Sequence, residues 1–157
     1  MKNLTLVIPA KKESESLPHV LREIEKFACK KMIVIEENDQ DTIKSINNHD
    51  CKIVFQDKKG YGDAIIKGIN SVDTEYLCIF NADGSFDPKY LYEKLELCKN
   101  YDYIFSSRYM KTGGSEDDTF ITKIGNFIFS LLGNIFFSLK LSKILYTFIL
   151  GKTDAFR

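Results

Sequence analysis

The sequence has no net charge, no paired cysteine motif, no internal repeat and no leading apolar stretch, and each absence narrows what it can be. Its 22 basic side chains balance 22 acidic ones over 157 residues. Neither intrinsic disorder nor a general polyanion-binding surface is favoured, and nucleic acid is not expected as a partner. The four cysteines, Cys29, Cys51, Cys78 and Cys98, are spread along the chain without a C-x-x-C pair. With no signal-like run behind Met1, this suits reduced thiols buried as small hydrophobes in a cytosolic chain. A chain of this length supports one hydrophobic core, burying roughly 70% of its extended surface.

Charge is present in quantity, 28% of residues, but unevenly placed. From Ile124 to Leu150 only Lys140 and Lys143 are charged. This contrast divides the chain into a punctuated part, 1–118, and an apolar part, 119–157. In the first, short β-branched runs alternate with helical patterns. Leu4 to Ile8 is an almost wholly apolar strand that stops at Pro9 and expects cover on both faces. Leu17, Val20, Leu21, Ile24 and Phe27 recur at helical spacing, with Ser16 as N-cap and Pro18 in the first turn. Further strands are predicted at Met32–Ile35, Cys51–Phe55, Tyr76–Phe80 and Tyr103–Phe105, and helices at Ile43–Ile46, Ala64–Ile69 and Leu91–Cys98. The alternation predicts an α/β fold with a central, mainly parallel sheet and right-handed crossovers.

Open parallel sheets bind ligands beyond the carboxyl ends of their strands, so the residues just after each strand matter most. Asn81-Ala82-Asp83-Gly84-Ser85 follows one such strand. Alternate residues there share a direction, so Asn81 and Asp83, helped by Ser85, can offer oxygens to a hard cation. The same string is also an ordinary Asx turn. Gly60-Tyr61-Gly62 precedes a helix, where backbone N–H groups can approach a phosphate, or where Gly60 simply makes a tight turn at positive φ. Glu36 and Glu37 end a strand and can accept hydrogen bonds from a base or ribose, or stand as a solvated acidic pair. Arg108, after Ser106-Ser107, has the geometry for a bidentate phosphate pair, although arginines are common on surfaces.

Taken together, these residues resemble family 2 glycosyltransferases of the GT-A fold. Leu6-Val7-Ile8-Pro9-Ala10-Lys11-Lys12-Glu13 looks like the opening V-I-P-A-[YF]-N-E. Gly60-x-Gly62-x-Ala64 with Gly68 resembles G-x-G-x-A-x-x-x-G, and Asn81 to Ser85 resembles D-A-D-G-S. Ser107-Arg108-Tyr109, Gly113-Gly114, Lys123 and Asn126 are similar to the S-R-Y…G-G…R-x-x-N run of the dolichyl- or polyprenyl-phosphate sugar transferase branch. Asp154-Ala155-Phe156-Arg157 is a weaker echo of the D-x-x-S-G-F-R closing motif.

The resemblance implies a Rossmann-like three-layer sandwich and an inverting transferase that takes a GDP- or UDP-sugar donor. Pro9, Ala10, Glu13, Gly60, Gly62 and Ala82 would line the nucleotide site, and Glu37 would meet the base. Asp83, with Asn81 and Ser85, would hold Mg²⁺ or Mn²⁺. Asp83, Arg108 and Lys123 would form the catalytic set, the two cations facing donor and acceptor phosphates. Three positions depart from the pattern. Lys11-Lys12 replaces an aromatic-Asn pair, Glu36-Glu37 replaces two aspartates, and Asn81 replaces the first aspartate of D-A-D, removing one negative charge from the cation site.

A lipid phosphate is already ionised at pH 7 and needs no general base, which favours it as acceptor over a sugar hydroxyl. The stretch Ile124–Leu139 reads as an amphipathic helix. It has too many polar interruptions to span a bilayer, and suits either a membrane interface, with Lys123, Lys140 and Lys143 near lipid phosphates, or a face packed on protein. Peripheral association with the cytoplasmic face of a membrane through 124–150 is therefore expected. Arg157 coincides with the end of the closing motif, where this branch usually continues, so 119–157 is either a minimal version or a truncated one. Two rivals predict different behaviour: a non-catalytic nucleotide-sugar-binding module, and a Mg²⁺-binding doubly wound signalling domain that binds no nucleotide.

Overall fold

The computed structural model describes residues 1–106, 131 and 147–157. Arg108, Lys123 and, Leu131 apart, the expected helix at Ile124–Leu139 lie outside the described residues. Eleven elements are described in chain order: β1 (Leu4–Ala10), α1 (Ser16–Ile24), β2 (Lys30–Ile35), α2 (Gln40–Ser45), β3 (Lys52–Phe55), α3 (Tyr61–Ser71), β4 (Tyr76–Ile79), α4 (Tyr90–Leu97), β5 (Tyr103–Phe105), β6 (Ile149–Lys152) and α5 (Thr153–Phe156).

The strands form one sheet in the order β3-β2-β1-β4-β6-β5. The β1/β2, β2/β3 and β1/β4 pairs are parallel, and β4/β6 is antiparallel. The chain therefore winds outward from β1 through β2 to β3, then returns to the other side of β1 with β4. That reversal opens a crevice beyond the carboxyl ends of β1 and β4, the position where such sheets take ligands.

All seven residues of β1 are buried, as a strand covered on both faces requires. It does not stop at Pro9, as expected, but runs on to Ala10. Val7 points its carbonyl toward β4, where the Phe80 N–H reaches it at 2.9 Å. Alternation turns Pro9 to the same side, and there the ladder has already ended at Ile79. The missing N–H of Pro9 therefore costs no sheet bond.

On one face Val7, Met32, Val34, Leu77 and Ile79 pack with Ala64 and Val72. Helix α3 lies unusually close, because a Cβ at Gly68 would stand 2.3 Å from Val7 Cγ1. Leu6 and Ile8 alternate to the opposite face and are fully buried. Helix α1 buries Leu17, Val20, Leu21 and Ile24, the predicted stripe. Its cap is not the expected one. Glu15 stands at the N-cap without a side-chain cap bond, while Ser16 lies inside the helix and its hydroxyl donates back to the Glu13 carboxylate. All four cysteines are free, Cys78 and Cys98 buried and Cys29 and Cys51 half-buried.

Residues 1–104 and 148–157 form one unit, and 105–147 the other. The last ten residues thus belong to the sheet. β6 inserts between β4 and β5, where the Lys152 N–H donates to the Asp102 carbonyl at 3.0 Å. The last residues are then tied to the connection between α3 and β4: the Thr153 hydroxyl donates to the Thr74 carbonyl at 2.7 Å, and the Arg157 guanidinium to the Val72 carbonyl at 2.6 Å.

Candidate functional site

Loops from four strands converge on a cleft of about 300 Å³. Pro9 and Ala10 end β1, Lys11 and Glu13 follow it, and Glu36 follows β2. Gln56 and Gly60 come from the β3–α3 connection, Tyr61 and Ala64 from the first turn of α3, and Asn81, Ala82 and Asp83 follow β4.

The β1 loop is braced by α2. Asp39 caps that helix, accepting from the Thr42 N–H at 3.4 Å, and its other oxygen accepts from the Lys12 N–H at 2.6 Å. Lys12 is held in the left-handed region at φ 58°, the one non-glycine residue there among the described residues. Asparagine, which the family pattern carries at that position, tolerates this region far better than lysine. The Glu13 N–H donates to the buried Thr42 hydroxyl at 3.0 Å, so the carboxylate held by Ser16 faces the cleft from a fixed backbone. Lys11 reaches across to Glu36 at 2.9 Å, and Glu36 is the more buried partner, 14% exposed against 63%. A neighbouring hollow of about 580 Å³, between this loop and α2, shares Lys11 and Glu36 with the cleft.

The β3–α3 loop is stapled by Asp63, whose Oδ2 accepts from the N–H groups of Asp57 at 3.1 Å and Lys58 at 2.9 Å. Gly60 ends it at φ 111°, a conformation that L side chains avoid, so the tight-turn reading of this glycine holds. Gly62 has ordinary backbone angles and open space where a Cβ would sit. It does not line the cleft, whereas Tyr61, half exposed, does.

At the β4 end the Asx turn is real. The Ser85 N–H donates to Asp83 Oδ1 at 2.9 Å, the Asn81 amide donates to Ser85 Oγ at 3.0 Å, and Gly84 turns at φ 79°. Asn81 and Asp83 nevertheless face the cleft; Ser85 is engaged behind them and does not line it. Among the described residues no three His, Cys, Asp or Glu side chains gather as a metal cage. Asp83 Oδ2 and the Asn81 carbonyl suit instead a hard cation whose remaining positions are filled by substrate phosphates and water, the usual manner of Mg²⁺.

Of the two glutamates after β2, Glu36 lines the cleft. Glu37 lies one residue further out, in a shallow depression with Asp57, Lys58 and Lys59. The structure thus brings together Pro9, Ala10, Glu13, Gly60, Asn81, Ala82 and Asp83, and leaves Glu37, Gly62 and Ser85 outside the lining. Gln56 and Tyr61, which lie in the stretch after β3 that the strand-end rule marks but which the sequence gives no individual role, also line the cleft.

The family model for glycosyl transferase family 2 matches residues 5–157. An uncharacterized glycosyltransferase of Mycobacterium tuberculosis is 33% identical over 85 residues, covering 54% of this chain and 38% of that protein. An uncharacterized protein of Methanocaldococcus jannaschii is 26% identical over 129 residues, 78% of this chain and 53% of that one. Among solved structures, mannosyl-3-phosphoglycerate synthase from Rubrobacter xylanophilus superposes with a TM-score of 0.73 at 15% identity, over 98% of this chain and 54% of that one. Glucosyl-3-phosphoglycerate synthase from M. tuberculosis, solved with Mn²⁺, uridine diphosphate and glucosyl-3-phosphoglycerate, gives 0.74 at 12% identity, over 96% and 57%. The likeness to these two is one of fold, and the matches span from 38% to 57% of these relatives' and neighbours' lengths. With four strand ends meeting at one cleft and the family pattern running from Thr5 to Arg157, the chain belongs to glycosyl transferase family 2 and its sheet has the GT-A fold.

Proposed function

We propose that this chain acts as an inverting glycosyltransferase, binding a UDP-sugar with a divalent cation and transferring the sugar to a phosphate-bearing acceptor. The observation that carries the reading is the convergence of the β1, β2, β3–α3 and β4 ends on one cleft with Asp83 in its wall. The family match supports it, as does a neighbour of the same fold solved with Mn²⁺ and uridine diphosphate.

In this reading Pro9, Ala10, Glu13 and Ala82 line the nucleoside, and the turn at Gly60 with Gly62 lets backbone N–H groups approach the diphosphate. We assign the base contact to Glu36 rather than Glu37, because Glu36 occupies the cleft wall. Asp83 and Asn81 hold the cation, which when bound offsets the charge growing on the departing diphosphate. An acceptor oxygen forms its bond to the anomeric carbon as the bond to the diphosphate oxygen breaks, and UDP leaves with that electron pair. The family resemblance assigns Arg108 and Lys123 to the donor and acceptor phosphates.

The S-R-Y…G-G…K-x-x-N run makes a polyprenyl phosphate the proposed acceptor, used at the cytoplasmic face of a membrane by a peripherally bound chain. Among the described residues no helix is long and apolar enough to cross a membrane.

Thermal shift with UDP, GDP and their sugars, with and without Mn²⁺, tests the donor site; a ligand at 100 times its Kd adds ~2.7 kcal/mol of stability. A UDP-sugar shift enlarged by Mn²⁺ is expected, and Asp83→Ala should abolish the Mn²⁺-dependent part. No shift with any nucleotide would refute the reading in favour of the signalling domain. UDP release is then measured with polyprenyl phosphate and with 3-phosphoglycerate. Release with the lipid supports the acceptor assignment, release with phosphoglycerate alone overturns it, and binding without release to either means a non-catalytic module.

A further inference from the structure

Lys94 is the one charged side chain buried among the described residues, 5% exposed. It occupies the inward face of α4 between Leu91 and Cys98, both fully buried, where helical periodicity calls for an apolar residue. Its ammonium donates to the carbonyl oxygens of Ile104 at 3.3 Å and Phe148 at 3.1 Å. It also stands 4.4 Å from the centroid of the Phe148 ring. That ring is itself fixed, stacked on Phe86 at 4.6 Å and edge-on to Phe80 at 5.6 Å.

The two acceptors are not arbitrary. Ile104 is the last residue before the chain leaves the sheet-bearing unit, and Phe148 is the first after it returns. A leucine at position 94 would bury no charge, but it would leave these two carbonyls without the ammonium's donors at the place where the chain leaves the sheet and comes back. Burial disfavours the charged form and pulls the Lys94 ammonium below its usual range, so the fold tolerates a real cost here.

We propose that Lys94 is a positioning residue, a buried clasp whose ammonium holds Ile104 of β5 and Phe148 just ahead of β6, and so fixes these two strands at the edge of the sheet. This goes beyond the transferase reading and is tested without activity.

The experiment is amide hydrogen exchange on the full chain, comparing wild type with Lys94→Met, which keeps the side-chain volume, and Lys94→Arg, which keeps the charge. In Lys94→Met, exchange over 103–105 and 148–151 should rise tenfold or more while β1 and β2 keep wild-type rates. Lys94→Arg should recover at least part of the protection, and UDP affinity should stay within twofold, since the cleft is built from β1 to β4. Unchanged exchange at β5 and β6, a uniform rise over all strands, or a parallel loss of UDP affinity would overturn the clasp. If wild type binds no UDP, the donor assignment fails while the exchange comparison still decides this one. Should Lys94→Met not fold, ¹⁵N-lysine NMR of wild type decides. One slowly exchanging ammonium with cross-peaks to an aromatic ring is expected, and its absence would refute the proposal.

Discussion

Replacing Gly68 with alanine sets two effects against each other, and the structure says which wins. In an exposed helix the change gains about 1 kcal/mol of propensity. In α3 the added methyl would lie 2.3 Å from Val7 Cγ1 and 3.1 Å from Val34 Cγ2. Favourable carbon contacts lie near 3.5–4.0 Å, so α3 must retreat by more than about 1 Å or Val7 must leave its rotamer. Val7 is fully buried in a central strand and has no room to turn. Overpacking costs roughly 1–3 kcal/mol, and a 2.3 Å approach to a carbon that cannot turn away belongs in the upper part of that range, about 2–3 kcal/mol, which outweighs the propensity gain. A net loss of about 1–2 kcal/mol is expected, a fall of about 2–8 °C in Tm for a domain of this size. Urea denaturation and calorimetry of Gly68→Ala, Val7→Ala and the double variant measure it. Val7→Ala removes the colliding carbon, so the double variant should be more stable than additivity predicts by about 1 kcal/mol. A Gly68→Ala protein as stable as wild type, or strictly additive variants, would refute the argument that close approach rather than ligand contact requires this glycine.

Lys12→Asn should raise the urea midpoint, relieving up to ~1 kcal/mol of left-handed backbone strain; no rise would mean that the Asp39 contact absorbs the cost. Asp39→Ala should lose about 1–2 kcal/mol in the same assay, because one carboxylate both caps α2 and holds the Lys12 N–H. Burial pushes all four thiols above their usual range, Cys78 most strongly. The unfolded chain therefore releases these protons first. Their contribution to stability is intact below about pH 9 and is lost as pH rises further. Lys94 works in the opposite sense, since its folded pKa lies below the unfolded one and its burial cost fades as pH approaches 10.5. Thermal melts from pH 8 to 10 should show a fall that is shallower in Cys78→Ala.

Local pattern carried much of this protein. Apolar runs and helical spacing placed β1 to β5 and α1 to α4 to within a few residues at most boundaries, because period and turn chemistry act over a handful of neighbours. The rule that ligands gather at strand ends then picked out Pro9, Ala10, Glu13, Gly60, Asn81 and Asp83. What escaped it depends on partners far away in the chain. Ile149–Lys152 has no alternation of its own and becomes β6 only because β4 and β5 leave a gap that Gly151 can enter, with Asp102 O 2.4 Å from where its Cβ would be. Ser16 prefers the Glu13 carboxylate to the helix end. Lys94 sits where any sequence pattern would want leucine, and only the two carbonyls supplied by residues 10 and 54 positions away explain it.

The amino-acid order by itself determined β1 to β5 and α1 to α4 and pointed to the strand ends that line the cleft, since those depend on short-range periodicity. The tertiary structure alone decided that Glu36 rather than Glu37 faces the cleft, and that the chain's last residues return to the sheet. Side-chain aim at a strand end reverses with a single step of register, and register is set by contacts across the whole sheet.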